Sequence, residues 1–166
     1  MIRFEFQGGY MKLDVQDLMK ALEKLGLKPT LQSETKQVLA NLSLNEAEYP
    51  MFLRPLEGGN LLQMLTFVPC TVQDESAFDL SRLLHMINKE LDMPGFGWDE
   101  ESKTVFYRVV VPCLRQQIED DLLNAYVDTT QRVLTMFGTI VQAIAMRAMT
   151  LDEMFDKAKE ASLERK

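Results

Sequence analysis

One histidine, two cysteines and two short acidic runs are the side chains whose chemistry could be catalytic or metal-binding, and their spacing supports neither. A Ser-His-Asp or Cys-His site would need His85 as its base. It sits between Leu84 and Met86 within a helical pattern, which reads as a surface or interface position. Cys70 and Cys113 lie 43 positions apart, each just after a proline, so they cannot form the close thiolate pair common in zinc sites. They read as reduced, half-buried apolar residues. Asp99-Glu100-Glu101 lacks the alternating oxygen ligands and central glycine of a calcium loop and reads as a turn. Glu119-Asp120-Asp121 reads as a helix start, where the helix dipole favours acids. Gly95-Phe96-Gly97 lacks the third glycine and the following helix of a dinucleotide loop. An enzyme working with carboxylates alone would need clustered acids in a polar cleft, and nothing pairs specific acids. The expectation is a protein that is not an enzyme, with no catalytic residue, metal or cofactor, whose task is to hold something.

Composition narrows what that something could be. The 166 residues suffice for one domain with a real core, and 46% apolar with 26% charged residues is ordinary for a globular chain. Eighteen basic against 25 acidic residues give a net charge of −7, which argues against nucleic acid, whose binding rests on clustered Lys and Arg. No apolar run approaches the roughly 20 residues of a membrane span, and no secretory signal is evident. The expected compartment is the cytoplasm. Asn41-Leu42-Ser43 then matches the glycosylation pattern by chance.

Elements must position whatever surface does the holding. The first ten residues fit no element, and Met11 reads as a second start site or the edge of an added segment. Asp14 is a candidate N-cap for a helix over about 14 to 25, closed by Gly26. Three strands are predicted at Lys36 to Leu44, Tyr49 to Leu56 and Leu61 to Val72, the last two joined by Glu57-Gly58-Gly59-Asn60. A second helix covers about 76 to 91 and stops at Pro94-Gly95. Strands follow at Phe96 to Trp98 and Thr104 to Pro112. A long helix starts near Gln117 and persists to about Met149, with Gly138 a weak point costing about 1 kcal/mol against alanine. Thr150-Leu151-Asp152-Glu153 is a capping-box pattern that restarts a short helix. The order α-β-β-β-α-β-β-α with this C-terminal helix predicts an α+β fold, a five-stranded antiparallel sheet with helices packed beside it.

Two features point to binding. The third predicted strand is apolar on both faces, with Leu61, Leu65 and Phe67 on one and Leu62, Met64 and Val68 on the other, so both faces need covering, by this chain or by a partner. The chain also has eleven methionines, flexible and polarizable side chains that fill cores or repack against varied partners.

The element order, with Leu83-Leu84-His85-Met86-Ile87-Asn88, Gly95-Phe96-Gly97-Trp98-Asp99, Val105-Phe106-Tyr107-Arg108 and Leu122-Leu123-Asn124-Ala125-Tyr126, resembles the bacterial type III secretion chaperone-like superfamily. That superfamily includes class I secretion chaperones and bacterial sensory transduction regulator domains. The resemblance divides the chain into an N-terminal extension (1–11), a chaperone-like domain (12–149) and a C-terminal helical extension (150–166). It implies a homodimeric cytoplasmic class I chaperone that keeps the N-terminal segments of secreted effector proteins extended for export. Under that implication Leu18, Leu22, Leu25, Leu42, Met51, Leu53 and Met64 would face the client, and Leu84, Ile87 and Val109 would form the dimer contact; the competing reading for each is core. The alternative is a regulatory or adaptor domain of the same fold that exports nothing and binds a folded protein.

Overall fold

The computed structural model describes residues 9–163. Most of the expected N-terminal extension, residues 1–8, and the last three residues lie outside the described residues. The elements are β1 (Tyr10–Lys12), α1 (Val15–Lys24), β2 (Thr30–Gln32), β3 (Gln37–Leu44), β4 (Ala47–Leu56), β5 (Leu61–Val68), α2 (Ala77–Glu90), β6 (Phe96–Asp99), β7 (Thr104–Pro112), β8 (Gln117–Glu119), α3 (Asp120–Ala145) and α4 (Leu151–Leu163). The fold is α+β. The sheet has six antiparallel strands in the order β2-β3-β4-β5-β7-β6, and β1 pairs with β8 in a separate two-stranded ribbon. The expected count of five is thereby corrected. The missed strands β1, β2 and β8 are three residues each, too short for alternation to register.

Local chemistry sets the boundaries. Asp14 caps α1, its carboxylate accepting from the backbone N–H groups of Gln16 and Asp17 at 3.0 Å each. Gly26 then leaves the helix at φ +78°, a conformation glycine adopts freely. β5 ends at Val68, four residues early, because Pro69 offers no N–H and Cys70 turns back to bond the Val68 carbonyl at 2.8 Å. The long helix begins at Asp120 because residues 117–119 pair with β1 instead. It ends at Ala145, ahead of Arg147 at φ +57°. The capping box forms: the backbone N–H and hydroxyl of Thr150 donate to Glu153 Oε2 at 2.7 and 3.0 Å, and Glu153 N–H donates back at 3.2 Å. Asp79 on α2 accepts from Leu151 N–H at 3.2 Å, tying α4 to α2.

The core lies between one face of the sheet and the helices. Val38, Ala40 and Leu42 of β3, Tyr49, Met51 and Leu53 of β4, Leu62, Met64 and Val68 of β5, and Val105, Tyr107 and Val111 of β7 are all buried there. Against them stand Leu18 and Leu22 of α1, Leu80, Leu84 and Ile87 of α2, and Leu123, Leu134, Val141 and Ile144 of α3. Gly138 of α3 has a packing reason: a Cβ there would press into the Tyr49 hydroxyl.

Candidate protein-docking face

The opposite face of the sheet belongs to a different population of side chains. Strand alternation turns Leu39, Phe52, Leu65, Phe67 and Phe106 away from the helices. The register sets Leu39, Phe52, Leu65 and Arg108 in one row across β3, β4, β5 and β7, and Phe67, Phe106 and Gly97 in the next. The Phe52 and Phe67 rings meet edge to face, 5.7 Å between centroids. Arg108 lies 5.9 Å from the Phe106 centroid. These five apolar side chains are half-buried by one another and do not pack against the core. Val110 on β7 extends the apolar strip and is 46% exposed. Leu65, Phe67, Phe106 and Arg108 line a shallow depression of about 450 Å³ on this face. No described helix covers it.

The residues expected to face a client lie elsewhere. Leu18, Leu22, Leu42, Met51, Leu53 and Met64 are at most 1% exposed and sit on the helix-covered face. A side chain so enclosed cannot touch a partner unless the core opens, so six of the seven have core packing as their place. Leu25, the C-cap of α1, is the exception at 37% exposed. Leu84 and Ile87 are buried on the inner side of α2, and Val109 is half-buried on the helix-covered face of the sheet, opposite Met64. The reason is parity. Apolar residues at alternate strand positions mark two faces equally, and only the placement of the helices decides which one is covered. Leu65 and Phe67 were the legible signal, since a strand apolar on both sides needs two covers.

The reactive groups are dispersed. Among the described residues no three His, Cys, Asp or Glu side chains gather where they could hold a metal ion. His85 is exposed on α2. Both cysteines are free thiols. Burial pushes the Cys70 thiol up to about 11, so it stays protonated near neutral pH. Of the methionines, Met51 and Met64 fill the core while Met136 and Met146 are exposed on and just after α3. No helix among the described residues is long and apolar enough to cross a membrane.

No curated protein matches the chain. Among solved structures it is similar to the "Crystal structure of YbjN, a putative transcription regulator from E. coli", with a TM-score of 0.57 at 10% sequence identity, over 81% of this chain and 89% of that one. At that identity the likeness shows the fold alone. Residues 14–143 match the model of the family YbjN, described as "Putative bacterial sensory transduction regulator". This corrects the type III secretion chaperone reading of the resemblance, because the family that matches is one of sensory transduction regulators and not one of secretion chaperones. The segments that suggested it are apolar and aromatic patterns that encode how strands and helices pack, and proteins of different function can share them. With the match spanning most of its length, the chain belongs to the YbjN family.

Proposed function

We propose that this chain is a regulatory or adaptor domain that binds a folded protein partner through the outer face of its sheet. The observation that carries the reading is the asymmetry of that sheet: helices bury one face, while Leu39, Phe52, Leu65, Phe67 and Phe106 form an apolar patch with no described cover. Contiguous apolar surface left partly open to solvent in this way favours protein contact. A regulator could instead act on DNA, but a net charge of −7 opposes phosphate binding. The family description, a sensory transduction regulator, suits a domain that acts by contact.

The test is affinity purification from the native host with quantitative mass spectrometry, comparing the wild-type chain with Phe52→Asp and with Leu65→Lys. A folded protein retained by the wild type and lost from both variants, at unchanged circular dichroism, supports the reading. Retention by both variants, or a captured partner that contributes only an unfolded N-terminal segment, overturns it. Should one variant misfold, the other still decides.

A further inference from the structure

Two guanidinium groups on the open face narrow the partner's chemistry. Arg54 on β4 and Arg108 on β7 are both exposed. Neither forms an ion pair or hydrogen bond among the described residues; Arg108 only approaches the Phe106 ring. They flank β5, Arg54 opposite Gln63 and Arg108 opposite Leu65. Strands two places apart are separated by about 10 Å, close to the width of an α-helix, about 10–12 Å.

The carboxylates on the strands of this face lie at its other end and are already engaged. Glu48 accepts from the Ser43 hydroxyl. Asp99 accepts from the N–H groups of Glu101 and Ser102 at 2.8 and 3.1 Å. In a chain of net charge −7, the strands at this end of the open face therefore carry two guanidiniums and no carboxylate, Glu34 and Glu57 lying in the turns beyond them. A partner covering it with apolar groups alone would strand two guanidiniums away from water. One that brings carboxylates would gain charge-assisted hydrogen bonds of the kind the planar guanidinium makes well.

We propose that the partner seats an acidic amphipathic helix along β5, its apolar stripe over Leu65 and Phe67 and carboxylates on its two flanks meeting Arg54 and Arg108. The inference rests on the outer face being the docking surface. A second copy of the chain fits less well, because it brings the same two cations and its own carboxylates on this face are held within the chain.

The test is a fluorescence-anisotropy titration of the full chain with three labelled helical peptides. They share one Leu/Phe stripe and differ in flanks of Glu, Gln or Lys, and each carries a photo-crosslinker in the stripe. The Glu peptide is expected to bind about tenfold more tightly than the Gln peptide, the worth of one charge-assisted bond. That advantage should shrink as salt rises, and Arg54→Glu with Arg108→Glu should transfer the preference to the Lys peptide. Equal affinities for the three, a preference unmoved by the double variant, or no binding overturns the proposal. Self-association that Phe52→Asp abolishes also overturns it, in favour of a second copy. Equal affinities with crosslinks at Phe67 leave the docking face standing and remove only the charge rule. Crosslinks elsewhere, with binding unaffected by Phe52→Asp, remove both.

Discussion

Asn88 of α2 holds both backbone groups of Phe96, donating from Nδ2 to its carbonyl at 2.8 Å and accepting its N–H on Oδ1 at 3.0 Å. Oδ1 also accepts from Gly95 N–H at 3.2 Å. One side chain thus stitches the second helix to the edge strand β6. Asn88→Ala is expected to lower stability by about 1–3 kcal/mol, since it leaves partly buried backbone groups unpaired. Hydrogen exchange should accelerate at Phe96 while β3, β4 and β5 keep their protection. A uniform change across the sheet would mean the contact is incidental to β6.

Gly138 and Tyr49 make a second close pairing, between α3 and β4. Alanine in place of Gly138 would gain about 1 kcal/mol of helix propensity. Its Cβ would meet the Tyr49 hydroxyl, and overpacking of this kind costs about 1–3 kcal/mol. We expect Gly138→Ala to be net destabilising in denaturant melts. The Tyr49 hydroxyl is buried without a hydrogen-bond partner among the described residues, so Tyr49→Phe should be close to neutral. In that background the alanine should cost clearly less; strict additivity of the two changes would show that they do not touch.

Neighbouring residues on one strand should separate the two sheet faces. Leu53→Ala opens the core and is expected to cost about 2–5 kcal/mol. Phe52→Ala removes only cross-strand contacts on the open face and should cost about 1 kcal/mol or less. Leu84→Ala belongs with Leu53, and light scattering should give the same mass before and after that change, because Leu84 is enclosed by its own chain. Equal costs for Phe52 and Leu53 would mean that something covers both faces.

The cap of α4 carries a pH dependence with a definite sign. Hydrogen bonds from the backbone N–H and the hydroxyl of Thr150 hold the Glu153 carboxyl below its ordinary value. A carboxyl depressed in the folded state favours folding above its unfolded pKa, and that contribution is lost as pH falls through the folded value. Amide protection in the first turn of α4 should therefore decline on acidification through and below the usual carboxylate range. Glu153→Gln should flatten that decline, and an unchanged profile would place its cause in another group.

Capping and turn chemistry is local, so much of the scaffold was legible in the residues. Asp14, the Thr150–Glu153 box, the turn through Gly58 and Gly59 and the Pro94-Gly95 stop all appear where the sequence places them. The alternation from Lys36 to Val72 and from Thr104 to Pro112 yields four strands close to their observed bounds. The ribbon of β1 with β8 was not legible, because its partners lie more than a hundred residues apart and each strand is three residues long. Gly138 read as a flaw in a helix, and only its contact with Tyr49 gives it a purpose.

The candidate site divides in the same way. Alternation by itself established that β5 has two apolar faces, and composition by itself established an acidic chain without a clustered catalytic or metal signature. Which face is enclosed was decided only when α1, α2 and α3 packed on Met51, Leu53 and Met64, leaving Phe52, Leu65 and Phe67 outward. The physical reason is that a period of two is symmetric about the strand, and only contacts between residues distant in sequence break that symmetry.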